Sequence, residues 1–124
     1  MSEWSDRRGR EAEMAFDQTC KEHRGRYPSY LEGIIWVNRG RELELEADFY
    51  ALIVDGSRIP IDIKASYPTL NFFLKKLKKR GRSRPNVIYI AFPIWRESQD
   101  VWDEFLLKLQ GKHQELLATR VAAE

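Results

Sequence analysis

Three residues in this 124-residue chain have types and a spacing that suit joint chemistry: Asp48, Asp62 and Lys64. Asp48 closes a stretch, Glu42 to Asp48, that holds four acids and no base. Glu and Asp are poor strand formers, so four of them on a strand-like stretch call for a reason. Asp62 and Lys64 stand two positions apart, which on a strand sends both to one face. Two carboxylates and a lysine on a common face are the groups that phosphodiester hydrolysis requires. That reaction needs a nucleophile made from water and compensation for charge gathering on phosphorus, and one or two divalent cations supply both. Mg²⁺ prefers oxygen ligands, typically one or two carboxylates completed by water and substrate phosphate. In this reading Asp48 and Asp62 share Mg²⁺, with Mn²⁺ able to substitute. The backbone carbonyl of Ile63 adds a ligand, and Glu13 from an upstream helix completes the shell. Lys64 positions or activates the water, or stabilises developing negative charge.

The elements that must position these groups are legible in the hydrophobic pattern. Ser5 or Asp6 caps a first helix running to about His23, with Ala12, Phe16, Thr19, Cys20 and His23 on its buried face. At roughly 100° per residue, Glu13 lies about 60° from Phe16, while Glu11 falls on the far side and faces water. Glu11 is the competing helical ligand. Gly33 to Val37 is a short strand, and Asn38-Arg39-Gly40 is a turn signal. Leu43 to Val54 and Arg58 to Ala65 alternate as two strands of a hairpin around Asp55-Gly56-Ser57. Side chains opposite one another share a sheet face. A three-residue loop, Asp55-Gly56-Ser57, therefore predicts Asp48 opposite Lys64 and diagonal to Asp62, whereas a two-residue loop parts the acids. An odd loop or an equivalent bulge is expected.

Ser66-Tyr67-Pro68-Thr69 is a second break, followed by a helix from about Thr69 to Arg80 ended by Gly81. Val87 to Phe92 reads as a central strand. Ser98 caps a last helix whose stripe includes Val101, Phe105, Leu109 and Leu116, with Trp102 and Leu106 beside it. The order helix, strand, strand, strand, helix, strand, helix predicts an α/β sandwich with a mixed sheet.

The formal net charge of +2 says less than its distribution. Lys75, Lys76, Lys78, Lys79, Arg80, Arg82 and Arg84 fall within ten residues without an acid. Such clusters form an electrostatic footprint for nucleic acid even on a nearly neutral chain. Lys75, Lys76, Lys79, Arg82 and Arg84 are the candidates for phosphate contacts, largely independent of base sequence. Ser66 and Tyr67, just past Lys64, either meet a substrate phosphate or form a helix-capping turn. The acidic Glu44 and Glu46 share the face of Asp48 and read as solvated edge residues. Trp36, Trp95 and Trp102 read as core or interface rather than base-stacking platforms.

Composition bounds the rest. The chain is 43% hydrophobic and 32% charged, a balance that fits one domain over residues 1–124. No apolar run approaches the roughly 18 residues of a membrane span, and the first ten residues are too polar for a secretory signal. Cys20 is the single cysteine, which excludes an internal disulfide framework and a multi-cysteine metal site. A reducing, cytoplasmic setting is expected.

With these residues in view, the chain resembles the PD-(D/E)xK nuclease superfamily. The resemblance rests on Gly9-Arg10-Glu11-Ala12-Glu13, then Glu46-Ala47-Asp48-Phe49, then Ile61-Asp62-Ile63-Lys64-Ala65-Ser66. The 14-residue step from Asp48 to Asp62 suits that family. The glycine four residues before Glu13 also resembles archaeal Holliday-junction resolvases. The likeness covers roughly residues 7–92. Ala47 stands where the family has proline, and Asp62 where the resolvase group usually has Glu. The resemblance implies a restriction-endonuclease-like sandwich, with a central mixed sheet flanked by helices, and a Mg²⁺-dependent endonuclease acting on DNA as a homodimer. Its catalytic residues would be Glu13, Asp48, Asp62 and Lys64. A chain this small has little surface for base readout, so selection of DNA structure (a junction, flap or nick) is expected. The alternatives are a non-catalytic nucleic-acid-binding or assembly subunit with a nuclease fold, and an RNA-directed nuclease.

Overall fold

The structure is a computed structural model that describes residues 3–37, 47–81 and 86–123. Arg82, Arg84, Glu44, Glu46 and the 38–40 turn lie outside the described residues. The elements run α1 (Glu3–Glu22), a single turn of 3₁₀ helix (Arg24–Arg26), β1 (Leu31–Trp36), β2 (Phe49–Ile53), β3 (Arg58–Lys64), α2 (Tyr67–Lys79), β4 (Ile88–Ala91) and α3 (Ser98–Ala123). The fold is α/β, with one four-stranded mixed sheet in the order β1-β2-β3-β4. The first two pairings are antiparallel and β3 runs parallel to β4.

Strand alternation sorts the layers. Ile59, Ile61 and Ile63 of β3 and Phe49, Ala51 and Ile53 of β2 join Phe16 of α1 and Val101, Trp102, Phe105 and Leu109 of α3 in one core. Phe16 locks this layer with edge-on rings at 4.9 Å from Phe49 and 5.5 Å from Phe105, a favoured aromatic geometry. The alternate residues of β3, among them Asp62 and Lys64, face the layer of α2. There Phe73 packs against Tyr89 of β4, ring centroids 5.9 Å apart.

The hairpin has the expected odd loop, placed one residue earlier. Ile53 N–H donates to Ser57 O and Gly56 N–H donates to Ile53 O, both at 2.9 Å, so the loop is Val54-Asp55-Gly56. Gly56 takes φ +93°, the left-handed position of a three-residue hairpin. The Ser57 N–H and Oγ donate to Asp55 Oδ1 at 2.8 and 2.5 Å, which fixes the turn. These bonds, with Arg120 beside it, lower the Asp55 pKa to about 2. Loop parity matches the expectation, but the ladder, ending at Phe49 opposite Ile61, is displaced by two residues from the predicted register. Beyond it the ladder is interrupted: Asp48 N–H donates to Ile61 O, the partner of Phe49, so Asp48 and Phe49 both oppose Ile61 as in a β-bulge.

The expectation that Val87 to Phe92 is a central strand is corrected: β4 lies at the edge of the described sheet. Its apolar run has another cause. Both α2 and α3 pack on β4, so Ile88, Ile90 and Ala91 are buried with no strand on the outer side among the described residues. Among the described residues, no helix is long and apolar enough to cross a membrane.

Candidate functional site

Asp48 and Asp62 are brought together. Asp48 sits just before β2, where its N–H donates to Ile61 O at 2.9 Å and its own carbonyl accepts from Val37 N–H at 2.8 Å. Its carboxylate turns toward β3, and Oδ2 accepts from Ile63 N–H at 2.9 Å. A residue's N–H and C=O point to the same side of an antiparallel strand. The Ile63 carbonyl therefore lies on the side of Asp48, as its expected role as a ligand requires.

Asp62 is only 7% exposed. Burial, and then a hydrogen bond shared with the Asp48 carboxyl group, push its pKa up from the usual carboxylate range to about 7, against the opposing pull of Lys64. Two carboxyl groups in one site resist joint ionisation unless a proton or a cation lies between them. Lys64 Nζ stands 3.5 Å from Asp62 Oδ2 and 4.0 Å from the centroid of the Phe73 ring. This cation–π contact holds the ammonium beside Asp62. The donor set fits a hard divalent cation: two carboxylates, with a backbone carbonyl beside them.

Glu13 is placed differently. It is 1% exposed, more deeply buried than its position at the margin of the helix face predicts. Its Oε1 accepts from the Trp36 indole N–H at 3.0 Å, and Trp36 stacks on Phe49 at 5.6 Å. Glu13 thus belongs to the α1 layer, whereas Asp62 and Lys64 face α2. Among the described residues, no group of three or more His, Cys, Asp or Glu is gathered to hold a metal ion. The expected set of Glu13, Asp48 and Asp62 is not among such groups, and Glu13 meets Trp36. Glu11 is exposed and lines a small pocket with Arg8, Phe92 and Pro93.

Ser66 caps α2. Its Oγ accepts from Thr69 N–H at 3.2 Å and donates to Thr69 Oγ1 at 2.8 Å, the geometry of the capping alternative. Lys75, Lys76 and Lys79 are all exposed on α2. Trp102 is core, as expected, while Trp36 is 40% and Trp95 73% exposed. Sequence reasoning did not single out Phe72, which is 67% exposed among the lysines. The helical period puts Phe73 in the apolar stripe with Leu70, Leu74 and Leu77 and leaves Phe72 off it, and Phe73 is the one turned inward. No protein-family model, curated protein or solved structure matches the chain.

Proposed function

We propose that the protein is a metal-dependent phosphodiester hydrolase acting on DNA, a structure-selective endonuclease with a restriction-endonuclease-like arrangement. One observation carries the reading: the buried Asp62 stands 3.5 Å from the Lys64 ammonium, and the Asp48 carboxylate is held at 2.9 Å by the N–H of the residue between them. A structural ion pair needs one acid, and the second is a cost that a bound cation offsets.

Asp48 and Asp62 would hold Mg²⁺ or Mn²⁺, with the Ile63 carbonyl beside them. The cation's contribution is to acidify water and to neutralise phosphate oxygens. Lys64 supplies a fixed positive charge for the developing phosphorane. The Ile63 amide holds the Asp48 carboxylate in place, so that the site is preorganised on two strands. Glu13 acts at a distance, by fixing Trp36 and through it the stack on Phe49 next to Asp48.

The non-catalytic binding subunit is favoured by one observation, the lack of a three-acid group among the described residues. The homodimer of the resemblance would need an exposed apolar surface. Trp102 and Phe105 are spent in the core, which leaves the outer side of α3, with Leu107 and Val121 exposed.

The test is cleavage of labelled four-way junction, flap, duplex and single-stranded DNA with Mg²⁺, with Mn²⁺ and with chelator. Metal-dependent products that vanish in Asp62→Ala and Lys64→Ala support the hydrolase. Binding without cleavage of any substrate under either metal rejects it in favour of the binding subunit.

A further inference from the structure

Phe72 leaves most of an aromatic ring in water, 67% exposed in the middle of α2. Burying such a ring is worth roughly 1.5–3 kcal/mol, and the fold forgoes it. Lys75, Lys76, Lys79 and Arg80 surround it, and together with Phe72 they line an open groove of about 610 Å³. That volume lies within the range of about 300–1,000 Å³ common to ligand clefts. The Lys76 ammonium stands 5.7 Å from the Phe72 ring centroid, inside the reach of cation–π attraction. The sequence of α2, YPTLNFFLKKLKK, contains no acid. Among the described residues the lining of the groove is thus basic and aromatic, which suits a polyanion that also offers flat apolar faces.

A duplex meets only half of that description. Its phosphates reach lysines, but its base faces are stacked on one another and unavailable to a protein ring. An unpaired strand meets both halves, with phosphates on ammonium groups and a base on the aromatic face, the usual combination in single-strand binding. We propose that Phe72 is a stacking site for an unpaired base of a DNA strand whose phosphates are held by Lys75, Lys76, Lys79 and Arg80. This rests on the hydrolase reading for the identity of the strand, and it narrows the substrate to single-stranded or locally melted DNA. The same helix touches both features: Phe73, next to Phe72 in the chain, carries the Lys64 ammonium on its ring.

The experiment is fluorescence anisotropy of the full chain with labelled single-stranded and duplex DNA of one sequence, in chelator so that no hydrolysis intervenes. Phe72→Ala is expected to weaken single-strand binding roughly tenfold, within the range of one lost base stack, and to leave duplex binding within about twofold. Phe72→Trp restores the single-strand affinity. Replacing Lys75, Lys76 and Lys79 by Ala weakens both and flattens the salt dependence. The proposal is overturned if Phe72→Ala changes neither affinity or both equally, if the chain binds no DNA, or if RNA of the same sequence binds more tightly. Phe72 is exposed, so an unchanged melting temperature confirms that the variant is folded. Phe72-dependent binding by a protein that never cleaves rejects the hydrolase reading alone. Metal-dependent cleavage with an indifferent Phe72→Ala rejects the stacking site alone.

Discussion

The backbone N–H of Ile63 donates a 2.9 Å hydrogen bond to the Asp48 carboxylate, tying the acid of one strand to the residue between Asp62 and Lys64 on the next. The bond explains how two acids come to share a site at the end of the β2–β3 ladder. It also fixes the side of β3 on which the Ile63 carbonyl lies. Asp48, Ile63, Asp62 and Lys64 thus form one unit, built on backbone geometry as much as on side chains.

The unit has a signature in stability against pH. The Asp62 pKa is about 7 in the folded chain, above the ordinary value of 3.8. Between those limits the folded state binds more protons than the unfolded one, so stability falls as pH rises through the window. At about 1.4 kcal/mol per pH unit, metal-free wild type loses on the order of 2–4 kcal/mol between pH 4 and 8. Asp62→Asn abolishes that loss. Calorimetric melting in chelator should show the variant more stable than wild type at pH 8 and equal to it near pH 4. A wild type with no such decline would remove the buried acid pair from the account.

Lys64→Met separates charge from packing. The ammonium lowers the Asp62 pKa, so its removal moves the midpoint of the stability decline to higher pH. Cleavage should fall by about 10²–10³, the usual cost of one electrostatic stabiliser of the transition state. Metal affinity should change little, because Lys64 is not a ligand. A variant that cleaves at the wild-type rate would show that Lys64 only pairs with Asp62.

Glu13→Gln discriminates a ligand from a strut. Glutamine keeps an oxygen to accept from the Trp36 indole, so the fold should hold and Mn²⁺ affinity should stay within about threefold. Glu13→Ala strands the indole N–H and opens a buried space, at a cost of about 1–3 kcal/mol. Loss of metal binding in Glu13→Gln would instead make Glu13 a ligand.

Ser66→Ala should destabilise the chain by about 1 kcal/mol, the worth of a helix N-cap. Single-strand DNA affinity should remain unchanged, since both hydrogen-bonding roles of this hydroxyl are occupied by Thr69. Thermal melting and anisotropy read the two effects separately.

Strand alternation made the face shared by Asp48, Asp62 and Lys64 legible, and hairpin parity made the odd loop legible. The exact register was not, because Val54 suits a strand end as well as a loop, and only the Ile53–Ser57 hydrogen bond decides. The apolar β4 suggested a central strand, but cover by two helices produces the same pattern at an edge. Helical periodicity put Glu13 near the core without saying that the Trp36 indole would meet it there. The surroundings of Phe72 could not be read either. The helical period puts Phe73 on the buried face with Leu70 and Leu77 and leaves Phe72 off it, but it does not say that lysines and an open groove surround the exposed ring.

The central claim is that Asp48 and Asp62 together exchange a proton for a metal ion. Titration calorimetry of Mn²⁺ into the full chain at pH 7, in two buffers of different ionisation enthalpy, measures binding and proton release together. The account predicts one site that releases a fraction of a proton, with binding lost in Asp48→Asn and in Asp62→Asn. No binding by wild type, or binding that survives both substitutions, would contradict it.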